Sequence, residues 1–173
     1  GLSGEIRGHA RSSETRDTAL SLGLVDKIFD TAAEAVEGAD LVVLCVPVGV
    51  MGNVASAIVS SLKAGAVVSD VGSVKAKVIE MVGIHMPKDV HFIPAHPIAG
   101  TENSGPNAGF AELFDGKWTI LTPAGDASED EVAKLRTFWE KLGANVDVMD
   151  PERHDLVLSV TSHVPHLIAY TMV

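Results

Sequence analysis

Leu41-Val42-Val43-Leu44-Cys45-Val46 is apolar without a break. A run of that length with no alternation reads as a strand covered on both faces, not one with a wet side. Downstream, residues 50–62 read as a helix and 66–70 as the next strand. A helix over 74–82 and a strand over 90–95 follow. After a Gly-rich loop come a strand over 118–121, a helix over 128–142 and a strand over 145–149. Ser128 with Glu131 makes a capping signal for that last helix. Upstream, residues 5–10 read as a strand and 13–22 as a helix that Gly23 closes. Residues 31–36 form a helical turn or two, with Thr31 and Glu34 spaced as a capping box. Asp150 then caps a final helix whose first position is Pro151, a favoured place for proline.

Apolar strands that alternate with helices imply a parallel sheet wound on both faces, with right-handed crossovers. Ligands of such sheets bind at the carboxyl ends of the strands. Four segments therefore converge on one edge: Arg11-Ser12-Ser13, Pro47-Val48, Gly72-Ser73 and His96-Pro97. The usual opening of a dinucleotide sheet, a strand followed by G-x-G-x-x-G, is absent from the sequence. The expectation is a Rossmann-like α/β sheet that enters at its second strand, with Gly1-Leu2-Ser3-Gly4 as the tail of a preceding helix. On this reading residues 1–150 are the dinucleotide-binding domain. Residues 151–173 begin an all-α domain.

The composition suits a packed core: 46% hydrophobic and 21% charged residues over 173 positions. With 13 Lys+Arg against 23 Asp+Glu the net charge is −10, which speaks against a nucleic-acid partner. No apolar run approaches the ~20 residues that span a bilayer, and no secretory leader opens the chain. The expected setting is the cytoplasm. One cysteine, Cys45, excludes an internal disulfide and a cysteine zinc cluster, and reads as a buried strand residue. Trp118, Trp139 and Phe138 read as core.

His96-Pro97-Ile98-Ala99-Gly100-Thr101-Glu102 is the segment richest in chemistry. Pro97 holds the residue before it extended, and Gly100 permits a tight turn. An imidazole at a ligand edge with a carboxylate nearby suits proton transfer near neutral pH. A structural histidine bonded within a loop is the plain alternative. In Asp70-Val71-Gly72-Ser73-Val74-Lys75, Ser73 reads as a helix cap that also meets a ligand, and Lys75 and Lys77 as solvated helix residues. His154, His163 and His166 lack the spacing of a metal pair, so no metal site is expected. His154 and His166 stand about 120° apart on an ideal helix and converge only if it bends, for which Pro165 supplies a cause. Arg11, with no acidic residue at its strand end, tilts the cofactor from NAD towards the 2′-phosphate of NADP.

These segments together resemble the prephenate/arogenate (cyclohexadienyl) dehydrogenases of tyrosine biosynthesis. The match runs through Leu41 to Val48, Asp70 to Lys75, His96 to Glu102, then His154-Asp155-Leu156, Ser159 and Ser162-His163-Val164-Pro165-His166, in the family's order. The resemblance implies an NAD(P)-dependent oxidative decarboxylation of prephenate or arogenate. It implies that His96 is catalytic, with Ser73 and Glu102 beside it, and that Gly100, Thr101, His154 and His166 meet substrate. The cofactor would lie over Arg11, Ser12, Val46, Pro47, Val48 and Ser73. A homodimer through the C-terminal helical domain is implied too. Other enzymes of similar fold, such as 3-hydroxyacid dehydrogenases and pyrroline-carboxylate reductases, are the competing class, with a non-catalytic nucleotide-binding module as a third reading.

Overall fold

The continuous apolar run becomes β3 (Leu41–Leu44), hydrogen-bonded in parallel to β4 (Val67–Asp70), which pairs in parallel with β5 (His91–Phe92). The structure is a computed structural model that describes residues 3–101, 103–125 and 127–171. Ahead of this sheet, β1 (Arg7–His9) pairs in parallel with β2 (Lys27–Phe29). A third sheet joins β6 (Ala95–Pro97), β7 (Trp118–Leu121) and β8 (Asn145–Val148). In it β7 and β8 are parallel and β6 is antiparallel to β7. The helices are α1 (Ser13–Ser21), α2 (Ala32–Val36), α3 (Val48–Ile58), α4 (Ala76–Gly83), α5 (Glu129–Lys141), α6 (Pro151–Leu158) and α7 (Val164–Thr171).

Successive strand residues point to opposite faces, and the core divides accordingly. Val42, Leu44 and Val68 join Met51, Ala55, Ile58, Val78 and Val82 of α3 and α4 in one cluster. Val67, Ile93, Ala95 and Leu121 pack with Leu135 and Trp139 of α5 in the other. The sheet is thus wound on both faces, as its uniformly apolar strands require.

The caps follow the sequence closely. Thr31 and Glu34 form the full capping box on α2. Asp150 accepts from the amides of Glu152 (2.9 Å) and Arg153 (3.1 Å), with Pro151 opening α6. Pro165 does not end the last helix. A wider π-helical stretch, Ser159–His163, precedes α7, and Val164 N–H donates to the Ser159 carbonyl. A widened turn of this kind relieves a proline inside a helix.

Four expectations change. The single strand over 90–95 is two. Ile93 N–H still donates to Val68 O at 2.9 Å, but Pro94 has no N–H to continue that ladder. The chain therefore leaves β4 and takes β7 as its partner. Cys45 lies one residue beyond β3 and is exposed, because the strand ends before it. Trp118 is 53% exposed, since it begins β7 outside the helix-covered region. Lys75 is fully buried, for a reason that lies in the site.

Candidate active site

β6 lifts His96 to the sheet edge. Thr122 N–H donates to Pro94 O (2.9 Å) and Ile98 N–H to Trp118 O (2.7 Å). This register places His96 opposite Ile120 in the bonded antiparallel positions and turns the amide and carbonyl of Ala95 away from β7. Those two groups need other partners. Asp70 and Lys75 supply them: Ala95 N–H donates to Asp70 Oδ1 (3.3 Å) and Lys75 Nζ donates to Ala95 O (2.7 Å). Lys75 Nζ also donates to Asp70 Oδ2, as does Gly72 N–H at 2.8 Å. Both side chains are fully enclosed. Burial pushes the Asp70 carboxyl up, against the pull of Lys75 and the two amides. Burial likewise pushes the Lys75 ammonium down, against Asp70 and Asp155.

His96 itself is 9% exposed. Its Nδ1 is 2.9 Å from His154 Nε2, with ring centroids 5.1 Å apart and the planes at 67°. His154 is fully buried on α6, and its Nδ1 is 2.8 Å from Asp155 Oδ1. Asp155 then reaches α4: Lys75 N–H donates to Oδ1 (2.7 Å) and Ala76 N–H to Oδ2 (3.0 Å). Burial alone would raise the Asp155 carboxyl. The Lys75 amide, His154 and the Ala76 amide outweigh it and hold the carboxyl below its usual value. A line of polar groups thus runs from the sheet edge through two imidazoles to a carboxylate that caps a helix.

Ser73 does not cap α4, which starts at Ala76 and has its first amides met by Asp155. Ser73 is exposed on the loop two residues before Lys75, at the rim of this network. Gly72 is buried beneath it; a Cβ there would lie 3.0 Å from Asp70 Oδ2 and 3.2 Å from Val48 Cγ2. The β3 and β4 ends, Pro47-Val48 and Gly72-Ser73, are therefore packed against each other. Pro47 precedes α3 without a side-chain cap, while Val46 is half-buried against the core. Ser12 caps α1: its hydroxyl accepts from Thr15 N–H (3.1 Å) and donates to Thr15 Oγ1 (2.8 Å). Arg11 is exposed beside it.

Gly100, with φ at 139°, and Thr101 line an open cleft of about 220 Å³ with Asn103, Ser104 and Gly105. The turn Pro106–Ala108 carries this loop back against α1. Glu102 and the side chain of His166 lie outside the described residues. His154, expected to meet substrate, stands enclosed behind His96. Asp155 and the Asp70–Lys75 pair escaped sequence reasoning; Asp155 lay inside a quoted motif, but nothing local marks its reach across to α4. Among the described residues there is no group of three or more His, Cys, Asp or Glu placed to hold a metal ion, and no helix long and apolar enough to cross a membrane.

A doubly wound α/β domain with Arg11 and Ser12 at the start of α1 has the architecture of a nucleotide-binding domain. A family model described as "Prephenate dehydrogenase, nucleotide-binding domain" matches residues 1–148, and the chain belongs to that family. It is 45% identical over 163 residues to the cyclohexadienyl dehydrogenase of Zymomonas mobilis, covering 94% of this chain and 55% of that one. The crystal structure of prephenate dehydrogenase from Aquifex aeolicus with hydroxyphenyl propionate and NAD+ matches at a TM-score of 0.91 and 34% identity, over 99% of this chain and 60% of that one. Synechocystis arogenate dehydrogenase matches at 0.86 and 27%, over 95% and 58%. The chain spans about half the length of the curated relatives it matches.

Proposed function

We propose that this chain supplies the cofactor domain and the acid–base histidine of an NAD(P)-dependent dehydrogenase that oxidatively decarboxylates prephenate to 4-hydroxyphenylpyruvate, or arogenate to tyrosine. The observation that carries this reading is His96, held at the ligand edge by His154 and Asp155. The relatives' names favour it over the 3-hydroxyacid dehydrogenase and reductase classes and over a non-catalytic module.

The residues present fit a dinucleotide. α3 begins without a side-chain cap at Pro47, so its first-turn amides suit an anionic ligand. Gly72 lets the neighbouring loop lie close against Val48. Arg11, Ser12, Val46, Pro47, Val48 and Ser73 would hold the cofactor, with exposed Arg11 favouring the 2′-phosphate of NADP. The chemistry a nicotinamide supplies when bound is acceptance of a hydride. The chain's part is to orient and to handle a proton. His96 accepts the ring hydroxyl's proton as the carbinol carbon is oxidised; a neutral imidazole, ordinarily of pKa ~6.5, can do so near pH 7. Loss of carbon dioxide restores aromaticity and asks for no strong base. Gly100, Thr101, Glu102, His154 and His166 are the residues this reading assigns to the substrate. The exposed apolar residues Leu156, Val160, Val164, Leu167, Ile168 and Tyr170 along α6 and α7 support a helical domain and a homodimer built on it.

The test is a steady-state assay of the full-length protein, with prephenate and arogenate each crossed with NAD and NADP. His96→Asn should lower kcat by roughly 10²–10⁴-fold while substrate still binds. Full turnover by that variant removes His96 from the reaction, and activity on neither substrate removes the reaction itself.

A further inference from the structure

We propose that Asp70 and Lys75 are a positioning pair that holds His96 of the sheet against His154 of α6. This rests on the reading of His96 as the group that receives the hydroxyl proton. The two imidazoles stand far apart in the chain, and their contact at 2.9 Å depends on how β6 and α6 are seated against each other. β6 is three residues long and bonds along one edge to β7. Along its other edge Ala95 meets no strand among the described residues. Asp70 and Lys75 stand in for one: Asp70 Oδ1 accepts from Ala95 N–H at 3.3 Å, and Lys75 Nζ donates to Ala95 O at 2.7 Å. The Ala95 carbonyl belongs to the planar peptide unit that enters His96, so the ammonium fixes the plane from which that side chain springs.

Lys75 reaches the other imidazole through its backbone. Its N–H donates to Asp155 Oδ1 at 2.7 Å, and the same oxygen lies 2.8 Å from His154 Nδ1. One residue therefore fastens both rings, the sheet-borne one by its side chain and the helix-borne one by its amide. Ala76 N–H donates to the second Asp155 oxygen at 3.0 Å, so the start of α4 carries this joint. On the sheet side, Asp70 Oδ2 also accepts from Gly72 N–H at 2.8 Å and from Lys75 Nζ, and both side chains are fully enclosed. An ion pair enclosed to this degree loses so much hydration that well-packed apolar side chains in its place are often no less stable. Its contribution is then one fixed geometry. A displacement of about 1 Å at a reacting group can lower a rate by roughly 10²-fold, which is the scale on which such a fastening acts.

The test uses the full-length protein, Lys75→Met, and Lys75→Met combined with Asp70→Asn, which leaves no lone buried charge. Both variants keep the amide of residue 75 that meets Asp155. NMR of the ligand-free protein should show ¹⁵N–¹⁵N coupling across the hydrogen bond between the His96 and His154 rings, and both variants should lose it. With prephenate and NAD+, kcat should fall by roughly 10²-fold while KM changes little, the pattern of a misplaced group and not of a lost binding contact. The double variant should be the more stable of the two in urea and still not regain kcat. A kcat that recovers in step with stability overturns the proposal, since that marks a merely structural role. So does unchanged kcat or an unchanged coupling in the variants, and so does the absence of coupling in the unaltered protein, where the contact to be held is then not made. Should neither variant fold, Asp70→Asn alone decides: a carboxamide cannot accept on both sides as the carboxylate does, so the coupling and kcat should fall, and retention of either overturns the proposal. If the unaltered protein turns over neither prephenate nor arogenate, the reaction reading has failed, and the coupling still decides whether the pair holds the two rings together.

Discussion

Two polar clusters meet at Lys75, and they are built to different ends. On one side its ammonium joins Asp70 beneath Ala95, with no access to solvent. On the other its amide joins Asp155, whose carboxylate leads through His154 to His96 at the sheet edge. The first cluster is made of fixed donors and acceptors. Asp70 accepts from Lys75 and from two amides, while Lys75 donates to Asp70 and a carbonyl. It completes the backbone bonding where the chain changes sheets at Pro94, and little else is open to it. The second cluster is made of imidazoles, whose nitrogens trade donor for acceptor with one proton. A saturated pair gives rigidity; an ambivalent pair can take up or release a proton. The two clusters differ in residue type and in burial, Asp70 and Lys75 being fully enclosed and Asp155 partly exposed.

The comparison breaks most sharply at Lys75. Lys75→Met leaves Asp70 buried without its cation and Ala95 O without a donor, and urea denaturation should show a loss of about 3–5 kcal/mol. Asp70→Asn combined with Lys75→Met should recover part of that loss, since no lone charge then remains buried. A Lys75→Met cost no larger than that of a surface lysine would end the distinction between the two clusters.

A smaller effect sharpens it through pH. The folded Asp155 carboxyl titrates below its unfolded value. Its contribution is therefore fully present above the ordinary aspartate value of ~3.9 and is lost as pH falls through the lower folded value. Asp155→Asn should cost about 1–3 kcal/mol at pH 7, and the gap to the unaltered protein should close as denaturation is repeated at progressively lower pH. A gap that widens in acid would contradict the assigned ionisation.

The smallest effect is the control. Thr31→Ala removes the cap of α2, remote from both clusters. It should cost about 1 kcal/mol in urea denaturation and leave turnover unchanged.

Much of the fold was legible because its causes are local. The unbroken apolar run at β3, the capping box at Thr31 and the Asp150-Pro151 start of α6 each declare themselves within a few residues. β2, at Lys27–Phe29, was not legible, being three residues long with no clear periodicity. Pro94 was visible, but not the change of partner that it forces. Ser73 resembled a cap because serine usually is one, until Asp155 supplied the cap from elsewhere in the chain. Of the site, His96 was expected just after a strand but stands within β6, and the inward position of His154 was not legible.

What the amino-acid order determined alone was most of the succession of strands and helices, since side-chain periodicity and caps act over one or two turns. What only the tertiary structure decided was which polar groups are brought together. Residues 75 and 155 lie far apart in the chain, and so do 96 and 154, and no local pattern records that they meet. Burial then fixes partners for Lys75, His96 and His154, because a polar group removed from water must find its partner inside the protein.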